Sequence, residues 1–282
     1  MKLGLAAWGL RETPLEEQLA LTKELGVDVL ELGIINSPGD LLGAEAGERE
    51  LETIRSLFDR YGRTPLCAAT GNDFTLPEPE QCRACLAAAQ KAVVWAGMLK
   101  IKYLRIFAGF IPTEELTAMR RELLVSCLAE VAETAKECGV TLALETHGGV
   151  VRKGQGVLHT PSIATESSTL DGMLEVVPDL RLCFDPANLH AVGVDPVKFY
   201  RRYRDRVATM HLKDFVRNSD GTLRPGACGD GGLPWPELLE AVAGFDGPAL
   251  IEYEVPFDVA EGMRQSLDFL HEMIFSEVQA NR

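Results

Sequence analysis

Residues 142–149 read L-A-L-E-T-H-G-G. Thr141 to Leu144 form a short, mostly apolar run between Gly139 and Gly148, the pattern of a strand covered on both faces, as in a parallel sheet. The run then ends in a carboxylate, Glu145, and, after Thr146, an imidazole, His147. An ionisable residue at the end of a core strand has two readings. It caps the next element, or it faces a site where charge is used.

Outward from this stretch the same motif recurs. Short runs rich in Val, Ile and Leu at Leu3–Trp8, Val27–Leu32, Thr64–Ala69, Tyr103–Ala108, Thr141–Glu145, Leu180–Asp185, Val207–Leu212 and Ala249–Tyr253 alternate with stretches of helical period. The clearest helix runs from about Glu114 to Cys138, with Leu116, Met119, Leu123, Cys127, Val131 and Ala135 in steps of three or four and Gly139 as its stop. Leu15, Leu19, Thr22 and Leu25 mark the first helix, ending at Gly26, and Val259, Met263, Leu267, Leu270 and Ile274 mark the last. Thr113 and Asp258 precede acidic first turns and read as N-caps. Strands alternating with helices imply parallel pairing through right-handed crossovers. Eight such units at about 35 residues each predict an α/β fold, a (β/α)8 TIM barrel as a single domain over residues 1–282. A doubly wound open sheet is the rival, but the first junction, W-G-L-R-E-T-P, lacks the G-x-G-x-x-G of a dinucleotide fold.

Composition narrows the partners. With 28 basic and 42 acidic side chains the net charge is −14, which repels phosphate backbones and anionic lipid and argues against nucleic-acid and membrane partners. No run reaches the ~20 apolar residues of a membrane span, and the N-terminal apolar run is short and followed by Arg11-Glu12, so it reads as a strand rather than a signal peptide. Seven scattered cysteines fit reduced thiols, and hence a cytoplasmic protein. Cys82 and Cys85 lie in a helical pattern and read as helix packing rather than as a redox or zinc motif.

In a barrel the C-terminal ends of the strands meet at one mouth. Four successive ends carry Glu145, Asp185, His211 and Glu252. Each has an ordinary reading: a capping carboxylate, a turn before Pro186, a satisfied core histidine. Together they make an oxygen-rich site suited to one divalent ion, Mn²⁺, Mg²⁺ or Co²⁺, with Zn²⁺ also compatible. Without a cation three adjacent carboxylates repel one another.

The segments E-T-H-G-G, F-D-P-A-N-L-H, H-L-K-D, the glycine-rich loop leading to L-P-W, and F-D-G-P-A-L-I-E resemble the sugar-phosphate isomerase/epimerase group of xylose isomerase-like TIM barrels. The resemblance implies that Glu145, Asp185, His211 and Glu252 hold one metal and that Glu145 and Glu252 are also the catalytic acid/base pair. It places Glu31, in V-L-E-L-G, near the substrate. The implied reaction is isomerisation or epimerisation of a small sugar or hydroxy-ketone, phosphorylated or not, through a metal-stabilised enediolate. Metal-dependent dehydration of an inosose- or dehydroshikimate-like compound is the alternative. Relatives of this kind are often homo-oligomers. The endonucleases of the superfamily use extra histidines from strands 3 and 4, and here those ends read A-A-T-G-N and I-F-A-G-F.

The remaining candidates are substrate contacts. His147 and His190 are expected to face the mouth, with Trp8 as an apolar wall. The loop after strand 7, K-D-F-V-R-N-S-D-G-T-L-R-P-G-A-C-G-D-G-G-L-P-W, offers Lys213, Arg217 and Arg224 to an anionic group, or is a solvated turn before a helix near Pro234. Arg152 and Lys153, in R-K-G-Q-G, read as a lid or as solvated residues.

Overall fold

The structure, a computed structural model, describes residues 1–255 and 257–280. In chain order the strands are β1 (Lys2–Leu5), β2 (Val29–Gly33), β3 (Cys67–Ala69), β4 (Tyr103–Ile106), β5 (Thr141–Glu145), β6 (Gly149–Lys153), β7 (Gly156–Thr160), β8 (Arg181–Phe184), β9 (Val207–Leu212), β10 (Asp214–Arg217), β11 (Leu223–Gly226) and β12 (Pro248–Ile251). The helices are α1 (Leu15–Glu24), α2 (Glu48–Arg60), α3 (Pro79–Met98), α4 (Ala118–Cys138), α5 (Ser167–Val176), α6 (Pro186–Ala191), α7 (Pro196–Tyr203), α8 (Trp235–Val242) and α9 (Val259–Ala280).

Strands β1, β2, β3, β4, β5, β8, β9 and β12 close into a parallel barrel in that order, β12 returning to β1. This is the expected TIM barrel. Helices cover its outside, and the outward strand residues Leu104, Leu142, Leu144, Leu182 and Met210 are buried beneath them. Burying one such Leu contributes roughly 1.5–3 kcal/mol. The inward positions follow the strand period of two. Val29, Cys67 and Leu250 pack with Ala6 in a separate cluster, and Glu31, Arg105, Glu145 and His211 stand on inward positions of their strands. The barrel thus has an apolar floor and an ionisable layer at its C-terminal mouth.

Local details differ from expectation where local chemistry decides them. The helix expected from Glu114 begins at Ala118, because Thr117 Oγ1 accepts from Arg120 N and caps it, while Thr113–Glu115 form a separate 3₁₀ turn. Met119 is therefore exposed. Gly139 terminates α4 in the left-handed conformation (φ 68°), as its position implied. Strand β1 stops at Leu5, so Trp8 lies in the turn beyond it. Cys82 is buried in α3, and the seven cysteines are free thiols.

The largest departure is a second sheet. The R-K-G-Q-G segment is the tip of a hairpin, β6–β7, and the loop after strand β9 is another, β10–β11. They join through Leu223 and Val157 into an antiparallel sheet of order β10-β11-β7-β6. Arg152 and Lys153 are exposed on it. Gly149 opens this sheet against the barrel, where a Cβ would collide with Thr160 Oγ1 and the Phe110 carbonyl.

Candidate metal centre and substrate mouth

Glu145 ends β5, Asp185 follows β8, His211 is the next-to-last residue of β9, and Glu252 follows β12. Register brings them level: Glu145 pairs with Cys183 two residues before Asp185, and His211 pairs with Leu250 two residues before Glu252. Each offers a ligand-capable atom, and these atoms lie within 4.8 Å of one another. All four side chains are buried.

Asp185 carries both of its sequence readings at once. Its Oδ1 accepts from Asn188 N at 2.9 Å and caps α6, while Oδ2 is buried 3.1 Å from Lys213 Nζ. Thr146 fixes the residue: its Oγ1 accepts from Asp185 N at 2.8 Å, so the ends of β5 and β8 are tied side chain to backbone. His211 Nδ1 is buried without a hydrogen-bond partner, 3.5 Å from Glu252 Oε1 and 3.8 Å from Glu145 Oε2. Its other nitrogen, Nε2, is 3.1 Å from Glu31 Oε1. An imidazole nitrogen without a hydrogen-bond partner, converging with three carboxylates, fits one divalent cation with oxygen and imidazole ligands, and Glu31 behind the imidazole fits the carboxylate partner such ligands usually have.

The charges around this set are tightly matched. Lys213, expected as a free loop cation, is buried and ion-paired to Glu252 Oε2 at 2.6 Å, Glu254 Oε1 at 2.7 Å and Asp185 Oδ2 at 3.1 Å. Arg105 is buried on β4, its Nε 3.2 Å from Glu145 Oε2 and its other nitrogens donating to the Thr70 carbonyl and Asn36 Oδ1. Asn188 Nδ2 donates to Glu145 Oε1 at 3.1 Å. Burial raises the Asp185 pKa to about 7 against the pull of Lys213, and burial also raises that of Glu145. Burial opposes ionisation of Glu252 too, but Lys213 and His211 hold its pKa well below the usual carboxylate range.

The other expected residues divide into those the fold brings to the mouth and those it does not. His147 packs edge-on against Phe107 and Phe110, its Nδ1 2.5 Å from the Gly148 carbonyl. Burial and then Lys213 push its pKa down to about 4. His190 and Arg217 share a cavity of about 240 Å³ with Ala187, Phe215, Gly232 and Leu233, between α6 and the β10–β11 hairpin. None of Glu145, Asp185, His211 and Glu252 lines that cavity. Arg224 is exposed on β11 outside its lining. Trp8 is partly exposed, and the Arg11 guanidinium covers one ring face 4.5 Å from its centroid, leaving less apolar wall than expected. Glu31 is hydrogen-bonded through both oxygens, to His211 and to Ala7 N, and so stands behind the His211 imidazole. Arg105 escaped the sequence reading although Y-L-R-I carries its signal, a cation at an inward position of a buried strand.

Comparison with known proteins agrees with the fold. Among curated proteins, the inosose dehydratase of Lacticaseibacillus casei is 27% identical over 174 residues, 52% of this chain and 53% of the relative. The chain thus spans about half the length of the curated relatives it matches. Among solved structures, the IOLI protein with a binding zinc atom superposes with a TM-score of 0.77 at 16% identity, covering 97% of this chain and 98% of that one. A D-tagatose 3-epimerase-like protein gives 0.73 at 19% identity, covering 99% and 100%. At these identities the superpositions speak for the fold. No helix among the described residues is long and apolar enough to cross a membrane. The family profile described as xylose isomerase-like TIM barrel matches residues 19–273, and the chain belongs to that family.

Proposed function

We propose that this protein is a divalent-metal-dependent isomerase or epimerase of a small sugar or hydroxy-ketone. The observation that carries the reading is the convergence of Glu145, Asp185, His211 and Glu252 within 4.8 Å at the barrel mouth. A divalent ion held there supplies a Lewis acid for a ketone oxygen and its neighbouring hydroxyl. Glu145 and Glu252 come from β5 and from the residue after β12, with β8 and β9 between them, so their carboxylates approach a bound molecule from different directions. One takes the proton from the carbon next to the carbonyl, and the other returns a proton. Return to the opposite face of the same carbon gives the epimer, and return to the former carbonyl carbon gives the isomer. Lys213 and Arg105 hold these carboxylates in place. Phe107, Phe110 and His147 provide the apolar side of the mouth.

A second reading, dehydration, is favoured by the match to the inosose dehydratases. It begins with the same proton removal and ends with loss of the β-hydroxyl as water, protonated by a carboxylic acid as the C–O bond breaks. Proton NMR in D₂O on the Mn²⁺-loaded protein separates the two, with D-tagatose, D-allulose, 2-keto-myo-inositol and 3-dehydroshikimate as substrates. Exchange of one C–H with appearance of the epimer or isomer supports the first reading, and a new alkene or diketone supports the second. No exchange and no product with any of them contradicts both.

A further inference from the structure

Lys213 stands where β9 gives way to β10, the single residue between the two strands. Its ammonium reaches back into the mouth and touches two of the four clustered residues, 3.1 Å from Asp185 Oδ2 and 2.6 Å from Glu252 Oε2. Asp185 Oδ1 is already taken by the cap of α6, where it accepts from Asn188 N. The oxygen that Asp185 has left to offer a metal is therefore the one that faces Lys213. Glu252 divides in the same way, with Oε1 3.5 Å from His211 Nδ1 and Oε2 on the ammonium. Lys213 thus holds a cation's place among the ligands.

A divalent ion bound by Asp185 and Glu252 shares their carboxylates with this ammonium. All three side chains are buried, and like charges that close repel strongly where water is excluded. The third partner offers a way out. Glu254 Oε1 is 2.7 Å from Lys213 Nζ, lies outside the ligand set and is partly exposed. A lysine head on its flexible stem can pass from one carboxylate to the next while the backbone stays fixed. Glu31, Glu145, Asp185, Glu252 and Glu254 outnumber Arg105 and Lys213 in the mouth, which keeps the ammonium near them.

We infer that Lys213 is an exchangeable internal cation: it keeps the ligands assembled, and a divalent ion takes its place by driving it onto Glu254. This rests on the metal-site reading and adds how the site is filled. The exchange selects a dication, because a singly charged ion gains no more from Asp185 and Glu252 than the ammonium it would displace.

The test adds Zn²⁺ to chelator-treated protein and uses two readouts that need no turnover. In the first, the protein is treated briefly with acetic anhydride, and acetylation of Lys213 is followed by mass spectrometry. Lys213 is expected to be protected without the ion and to lose that protection at saturating Zn²⁺. In the second, calorimetry measures Zn²⁺ affinity in Lys213→Met, Glu254→Gln and the double variant. Lys213→Met should bind about tenfold tighter, the scale of one charge-assisted hydrogen bond. Glu254→Gln should bind about tenfold weaker, and that loss should vanish in the double variant, where no ammonium needs a new partner. A Glu254→Gln loss that persists undiminished without Lys213 is plain removal of charge and overturns the inference. Should Lys213→Met fail to fold, the labelling of the wild type decides alone. Failure of Zn²⁺ to bind the wild type removes the metal reading and this inference with it, whereas binding with Lys213 still protected removes the inference alone.

Discussion

His211 Nε2 lies 3.1 Å from Glu31 Oε1, while Glu31 Oε2 accepts from Ala7 N at 3.0 Å. The imidazole is thereby oriented from behind, with Nδ1 directed to the three clustered carboxylates. Glu31→Gln keeps the size of the side chain and removes its charge. Loss of such a partner typically weakens metal affinity about 10–100-fold. Competition with a calibrated chelator measures this, and an unchanged affinity would show that Glu31 plays no part in the metal site.

Lys213 neutralises Asp185, Glu252 and Glu254 in a buried setting. Lys213→Met leaves those carboxylates uncompensated, a change worth about 3–5 kcal/mol of stability in the metal-free protein. Added Mn²⁺ should therefore stabilise the variant more than it stabilises the wild type. Thermal unfolding of both proteins with and without Mn²⁺ tests the point, and equal metal-induced shifts count against it.

His147 and His159 have pKa values lowered to about 4 and about 3. The unfolded chain binds their protons first, near pH 6.5. Stability from these groups is therefore complete above pH 6.5 and falls as the pH drops from there toward 4 and then 3. The advantage of the wild type over His159→Gln should shrink by about 1–2 kcal/mol between pH 7.5 and pH 5. Denaturant titrations at the two pH values give the difference directly. A constant difference would mean that His159 is not buried neutral.

The barrel was legible because a repeating apolar strand followed by a helix has few ways to close, and its mouth was legible because strand ends are where that fold exposes side chains. Glu145, Asp185, His211 and Glu252 could be named for that reason, and the fold brings them together. Lys213 was misjudged because sequence shows the cation and not its three carboxylate partners, which lie 28 to 41 residues away in the chain. Arg105 is not legible from strand ends, because its guanidinium rises from within β4 to reach Glu145. The hairpins β6–β7 and β10–β11 are short, glycine-rich and largely polar, and their pairing through Leu223 and Val157 is a long-range event. Nothing local in R-K-G-Q-G announces it, so His159 had no neighbour to make it visible.

The proposed function requires that Glu145, Asp185, His211 and Glu252 hold one divalent ion. Calorimetric titration of chelator-treated protein with Mn²⁺ tests it most directly, with Asp185→Asn and Glu252→Gln titrated alongside. Saturable binding of one ion per chain is expected in the wild type, and loss of that binding in both variants. Absence of saturable binding, or variants that bind as the wild type does, would contradict it.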